Sequence, residues 1–249
     1  MNAGTWFVQL NAWQVMALGL AFFGALYLLG GLGMTGLTRA LSRRGMGRPL
    51  DTRPLKPDQL RREWRQSLHS VLIFGTGMIV PWGFLQLGWA HLAPTASAGR
   101  IALEIVALMI WNDVHFWINH RLLHTRSLVR FHGDHHRSVV TTPWSTYSFH
   151  PIEALMLGNV ILLPMVVHEF CFWSLAAVPV LSLLLNVIGH SNYDFFPHVS
   201  NTHALAASRR HHLHHARPAG NYGFALAFMD RLMRTQVTTD TVPAARSAR

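Results

Sequence analysis

Four apolar tracts dominate this chain, and they restrict it to folds that a lipid bilayer permits. A spanning α-helix needs about 20 mostly apolar residues, because hydrocarbon offers the backbone no hydrogen-bond partner outside the helix itself. Residues 12–37, 68–92 and 101–118 are the clearest candidates. A longer tract, residues 152–189, is interrupted by His168-Glu169 and predicts two short spans joined by a tight outer turn. Half of the 249 residues are apolar and only 13% are charged, which fits the same class. The expected fold is all-α: an integral membrane bundle of about four to five membrane helices, forming one domain over residues 1–249.

Charge sets the expected orientation. Residues 1–11 contain no Lys or Arg, and the following apolar run exceeds the roughly 7–15 residues of a signal-peptide core, so the first span is expected to stay in the mature protein. Residues 39–65 carry nine Lys and Arg against Asp51, Asp58 and Glu63, whereas residues 1–11 and the connection 93–99 carry none. The positive-inside bias then places the N-terminus outside and the basic loop in the cytoplasm of a multi-pass protein. Much of the net charge of +10 lies in that loop. A charge run flanked by two spans fits anionic lipid headgroups, with an acidic electron donor as a second reading, and argues against nucleic acid as a partner. The single cysteine, Cys171, excludes an intramolecular disulfide and a thiolate cluster. Residues 1–66 read as the N-terminal span with its basic loop, 67–235 as the core, and 236–249 as a disordered tail. The run Gly30, Gly31, Gly33 and Gly36 reads either as a small-residue helix-packing face or as a frayed helix end.

Histidine supplies the chemistry. Fifteen of the seventeen histidines fall between His115 and His215, and nine of them form four groups. These are His120 with His124, then His132, His135 and His136, then His190, and finally His211, His214 and His215. Residues three and four apart share a helix face, so each multiple group aims two or three imidazoles at one place. Neutral imidazole is a ligand for zinc, copper, iron and nickel. One ion generally takes only three or four protein ligands, so nine convergent histidines predict a two-metal site. The topology from hydropathy and charge puts all nine on the cytoplasmic side, as a histidine-rich helical cap.

These residues resemble the fatty acid hydroxylase superfamily, which includes the sterol desaturases and C-4 methyl oxidases. The resemblance covers roughly residues 113–235. It rests on Asp113 with Phe116-Trp117 and His120-Arg-Leu-Leu-His124, His132-x-x-His135-His136, Phe149-His150-Pro151-Ile-Glu153, Gly189-His190-Ser-Asn192, His211-x-x-His214-His215, and the closing Asn221-Tyr222-Gly223 and Met229-Asp230-Arg231-Leu232. It implies an integral membrane di-iron enzyme that uses dioxygen as co-substrate to hydroxylate, or desaturate, an unactivated C–H bond of a membrane lipid such as a sterol, a fatty acyl chain or an aminolipid. The implied iron ligands are His120, His124, His132, His135, His136, His190, His211, His214 and His215. Some members carry a second histidine four residues before the position of His190, where this chain has Asn186. Asp113 and Asn186 are therefore the candidate catalytic residues beside the ligands. The reaction needs external electrons, and no fused haem, flavin or iron–sulfur motif is present, so a separate cytochrome b5-, ferredoxin- or rubredoxin-like donor is expected.

Five acidic residues, Asp113, Asp134, Glu153, Asp194 and Asp230, sit among or beside the histidine groups, and at least two are expected to orient metal-bound rings. Candidate pocket residues are Trp117, Trp144, Tyr147 and Phe149 near the histidines, with Phe74 and Trp82 deeper in the membrane. His115 lies about 140° around its helix from His120 and reads as structural or substrate-facing. His150 reads as a supporting group and His212 as pointing away from its neighbours, while His198 and His203 read as loop residues and His69, His91 and His168 as interfacial. Two other classes fit the residues less well. A zinc-dependent membrane hydrolase would require an open metal position beside a Glu general base, and no His-Glu-x-x-His occurs. A divalent-metal transporter would place several ionisable groups inside the spans, and within the first three only Glu104 and Asp113 are acidic.

Overall fold

The computed structural model describes residues 2–237. Its helices, in chain order, are α1 (Ala3–Gln9), α2 (Ala12–Arg43), α3 (Gln59–Gly77), α4 (Ile79–Gln86), α5 (Ala98–Leu123), α6 (Val129–His136), α7 (Pro151–Gly158), α8 (Leu162–Val167), α9 (Phe172–Gly189), α10 (Ala207–Ala216) and α11 (Phe228–Leu232). Four are long and apolar enough to cross a membrane: α2, the stacked pair α3–α4, α5 and α9. The chain is a helical membrane bundle, as its apolar tracts predict. The tail expected over residues 236–249 lies, from residue 238 on, outside the described residues. Val237 is held by two hydrogen bonds with Asn221.

Local chemistry sets the helix ends. At the start of α2 the Asn11 and Gln14 side chains each accept the other's backbone N–H, both at 3.0 Å, which satisfies two orphan donors at once. With 32 residues, α2 is about 48 Å long and projects beyond a hydrocarbon core of about 30 Å. Helix α3 begins nine residues earlier than hydropathy suggests and absorbs Arg61, Arg62, Glu63 and Arg65. The reason is Glu63. It is fully buried and accepts from Gln59 Nε2 at 2.8 Å, Ser138 Oγ at 2.7 Å and Thr142 Oγ1 at 2.6 Å, so a stretch that reads as a solvated basic loop is packed against the loop after α6.

Helices α2 and α3 touch backbone to backbone. A Cβ on Gly19 would lie 2.2 Å from the Gly75 carbonyl oxygen, and one on Gly75 would lie 2.8 Å from Leu20 Cα. Small-residue packing of this kind lets dispersion replace the hydrophobic drive that lipid cannot supply. The run from Gly30 to Gly36 behaves differently: Gly31 accommodates the Trp144 ring and Gly30 faces Leu183, while Gly33 and Gly36 meet nothing nearby.

The tract 152–189 does turn after His168, but its first half is two short helices, α7 and α8. Cys171 is the N-cap residue of α9, but its side chain makes no cap bond. Glu104 of α5 caps it instead, accepting from Cys171 N at 2.9 Å and Ser174 Oγ at 2.7 Å. That places one of the two acidic residues of the first three spans at a helix N-terminus, where the dipole favours it. Beyond the helices, two residues of β1 (Arg48–Pro49) pair antiparallel with β2 (Tyr193–Asp194).

Candidate metal centre

Helices α5 and α9 end at the same level, with His124 and His190 as their C-caps. Helix α5 also carries His120, and α6 and α10 bring the other six ligand candidates. The nine histidines fall into two sets, and within each the candidate ligand nitrogens lie within 4.8 Å of one another. One holds His120, His124, His132, His136 and His214; the other holds His135, His190, His211 and His215.

The partition follows from helix geometry. At about 100° per residue, i and i+4 differ by about 40° while i and i+3 differ by about 60° the other way. The pairs His120/His124, His132/His136 and His211/His215 therefore each serve one set. His135 and His214, three residues along, cross to the other. Helices α6 and α10 thus bridge both sets rather than aiming each group at a single point.

Ring orientation is fixed mainly by backbone carbonyls. Nδ1 of His120 donates to Tyr222 O at 2.9 Å, His135 to Ser148 O at 3.3 Å, His190 to Asn186 O at 2.9 Å and His214 to Gly220 O at 2.7 Å. His132 Nδ1 faces Glu153 Oε1 at 2.8 Å. A carbonyl only accepts, so these Nδ1 atoms carry the proton and Nε2 keeps a lone pair. The Nε2 atoms of the nine rings converge: His120 on His132 at 3.1 Å, His132 on His136 at 3.0 Å, His136 and His124 on His214 at 3.1 Å, His190 on His135 at 3.2 Å and on His211 at 3.1 Å, and His211 on His215 at 3.2 Å. No proton remains to bridge pairs such as His190 and His135, so they repel unless a cation lies between them. Two nitrogens about 2.1 Å from one ion and at right angles stand about 3.0 Å apart, which matches this spacing. The donor sets therefore fit two metal ions.

Burial acts in the same direction. Desolvation, the largest effect, pushes the His124 imidazole down to about 3, with His214 and Arg121 adding to it. It pushes His190 and His214 down to about 4 and holds His132, His135, His136, His211 and His215 well below the ordinary imidazole value. All are neutral near pH 7 and available as ligands.

Of the five acidic candidates, only Glu153 touches a ring of the two sets. Asp134 is paired with Arg137, and Asp194 with Arg209 and Arg48. Asp113 Oδ1 accepts from the N–H groups of Ala225 and Leu226. Asp230 accepts from Tyr222 N, Gly223 N and Trp117 Nε1. Asp113 and Asp230 thus secure the segment whose carbonyls hold His120 and His214. Carbonyl acceptors leave no side-chain signature, which is why sequence reasoning assigned the role to carboxylates.

Two asparagines of the sequence motifs have a shared role. Asn192 and Asn221 adopt left-handed backbone, with φ of 52° and 55°, a region Asn tolerates better than most residues. Each side chain both accepts from and donates to a distant backbone, at Asp51 and Val237 respectively. Asn186, the other candidate catalytic residue, donates from Nδ2 to Thr146 O at 2.9 Å. His150 caps α7 through Ile152 N, and His115 pairs with Asn159 Oδ1 at 2.9 Å; neither belongs to a set. His212 is fully buried outside both sets, with neither ring nitrogen bonded.

A cavity of about 210 Å³ lies within the membrane-spanning bundle, and it comes closest to the four-histidine set at Phe149 rather than being lined by any of the nine histidines. Phe149, packed on the His135 ring at 5.1 Å, and Asn186 line its inner end. Val80 and Leu155, both exposed on the flank of the bundle, line its mouth. Of the expected pocket aromatics, Phe74, Tyr147 and Phe149 line it. The others are engaged elsewhere or outside the lining: Trp117 is hydrogen-bonded to Asp230, Trp144 packs against Trp64 at a tilt, and Trp82 is not part of the wall.

Fold and site together define a helical membrane protein with a histidine-built candidate dinuclear centre. The model of the fatty acid hydroxylase family matches residues 105–235, just over half of the chain, and the chain belongs to that family. It is 28% identical to a Delta(7)-sterol 5(6)-desaturase of Eremothecium gossypii over 70% of this chain and 50% of that protein. It is 29% identical to methylsterol monooxygenase 1 of Rattus norvegicus over 50% of this chain and 43% of that protein. Protein CER1-like 1 of Arabidopsis thaliana is 27% identical over 65% of this chain and 26% of that protein. The chain spans about half or less of the length of these relatives. No solved structure matches it.

Proposed function

We propose that this chain is an oxygen-dependent di-iron oxidoreductase that hydroxylates, or desaturates, an unactivated C–H bond of a membrane lipid. The observation that carries the reading is an apolar cavity, lined at the exposed flank of the bundle by Val80 and Leu155, whose inner wall Phe149 packs directly on the His135 ring of the four-histidine set. The sterol-modifying names of two relatives support a lipid substrate.

The nine histidines would hold the metal: His120, His124, His132, His136 and His214 one ion, and His135, His190, His211 and His215 the other. Two iron ions would supply the redox chemistry by which dioxygen and two electrons act on a C–H bond. The chain's own residues do the rest. Glu153 and four carbonyls orient the rings, while Phe74, Tyr147 and Phe149 exclude water and bound the hydrocarbon next to His135. Placement of the reacting carbon then decides the product, because oxidation at an unactivated position depends on which hydrogen is held nearest. Asn186 lines the inner end of the cavity one helical turn before His190, and Asp113 acts through the segment 225–226. His124 and His136 are the partly exposed ligands, which puts the five-histidine set nearer solvent and nearer a separate electron-donor protein. The basic residues of 39–65 support an orientation with this end at the cytoplasmic face and the N-terminus outside.

Metal content of detergent-purified protein expressed with iron, measured by mass spectrometry beside His135→Ala and His214→Ala, tests the reading. About two irons per chain are expected, with loss of metal and of lipid oxidation in both variants and full activity in His198→Ala. One zinc per chain, or metal unaffected by both substitutions, overturns it.

A further inference from the structure

The wall of the cavity is apolar except at a few positions, and one of these is unsatisfied. Asn112 of α5 and Ser182 of α9 both line it at mid-span. The Ser182 hydroxyl donates to Asn112 Oδ1 at 3.3 Å, which leaves the Asn112 amide nitrogen buried without a partner among the described residues. Of the other side-chain amide and imidazole groups in the wall, His115 pairs with Asn159 and Asn186 donates to the Thr146 carbonyl. A buried donor left unmade costs roughly 1–3 kcal/mol in general, and polar groups inside a membrane segment mark functional positions more often than packing ones. Helix–helix glue would need only the Ser182 bond. The free N–H of Asn112 calls for an acceptor that enters the cavity.

Helix geometry also fixes where that acceptor sits. Asn112 precedes His120 by eight residues, and Ser182 precedes His190 by eight. Both polar groups therefore lie about 12 Å along the helix axis from the histidines.

We propose that Asn112, held by Ser182, recognises an oxygen atom of the substrate, so that the substrate is a lipid already carrying a hydroxyl or carbonyl group and is oxidised about 12 Å from it. This rests on the reading of the cavity as the substrate site. Recognition of the oxygen is a binding property, however, and is testable without turnover.

The thermal midpoint of the full chain in detergent is followed while two matched pairs of lipids are titrated: 5α-cholestan-3β-ol against 5α-cholestane, and hexadecan-1-ol against hexadecane. The members of each pair differ only in the hydroxyl. At least one hydroxylated probe is expected to stabilise the wild type at a concentration about five-fold lower than its hydrocarbon partner, as one neutral hydrogen bond allows. Asn112→Leu should abolish that preference, and Ser182→Ala, which removes the group that aims the amide, should reduce it. Iron content should stay unchanged in both variants. A wild type that fails to distinguish either pair, or a preference that survives both substitutions, overturns the proposal. The two-metal reading is judged separately by metal content, so failure of one leaves the other standing.

Discussion

Replacing Glu63 with alanine strands three hydrogen-bond donors in a fully buried site. Gln59 Nε2, Ser138 Oγ and Thr142 Oγ1 all end on this one carboxyl group. Gln59 keeps a second acceptor in the Val140 carbonyl at 2.8 Å, and the two hydroxyls can rotate, so the loss is less than three full desolvation penalties. At about 1–3 kcal/mol per stranded donor, plus the space left by the side chain, the expected cost is about 3–5 kcal/mol. For a chain of this size that lowers the unfolding midpoint by roughly 10 °C. Glu63→Gln keeps the shape and one acceptor, and its amide can donate to the Thr142 hydroxyl, so it should cost about 1–2 kcal/mol. Tryptophan fluorescence during heating in detergent reads both. The bonds from Ser138 and Thr142 also anchor the loop between His136 and Ser148, whose carbonyl orients His135, so Glu63→Ala should bind metal less tightly as well. An unchanged midpoint in Glu63→Ala, or a glutamine variant worse than the alanine one, would refute this account of the network.

Glu153→Leu frees the His132 ring from its only carboxylate partner and should weaken metal binding about 10- to 100-fold, read by competition with a chelator; unchanged affinity would mean that the ring is held by packing alone. Stability of the metal-stripped chain should fall as the pH drops from about 6.5 to about 4. Over that window the unfolded imidazoles take up protons while His190 and His214, pushed down to about 4 by burial, do not. Denaturant midpoints against pH test this, and a flat profile contradicts it. Gly19→Ala drives a methyl group into the Gly75 carbonyl and should cost about 1–3 kcal/mol, seen as a lower thermal midpoint, whereas Gly33→Ala should be tolerated.

The spans and the nine histidines were legible because each follows from one-dimensional rules: apolar length for the helices, spacing for the ligands. Even the division into sets was implicit in the spacing. Residues four apart stay together and residues three apart cross over, a distinction lost when both are treated as one face. Other features carry no such mark. Glu63 sits in a basic run and looks solvated, yet its burial depends on Ser138 and Thr142, some 75 residues away. The Gly19–Gly75 contact needs two helices to cross at one point, while the conspicuous run from Gly30 to Gly36 is spent on Trp144, Leu183 and open space. Asp113 and Asp230 were rightly singled out beside the histidines but given the wrong contact, because the groups that touch the rings are backbone carbonyls.

That last point makes Asp230 a sharp test of how the centre is built. Its carboxylate touches no histidine, yet it receives Tyr222 N at 2.9 Å, Gly223 N at 2.7 Å, Trp117 Nε1 at 3.1 Å and Thr235 Oγ1 at 2.6 Å. These bonds fix residues 220–223, and the carbonyls of Gly220 and Tyr222 in turn fix the Nδ1 protons of His214 and His120. Carbonyls cannot be mutated directly, so the carboxylate that holds them is the side-chain handle on both rings. Asp230→Ala should therefore mimic loss of a group that orients a ligand, lowering metal affinity about 10- to 100-fold. It acts on two ligands of the five-histidine set and none of the other, so one metal ion per chain should be lost before the second in a chelator titration. Simultaneous loss of both ions would instead show that the two sets bind as one cooperative unit, bridged by α6 and α10.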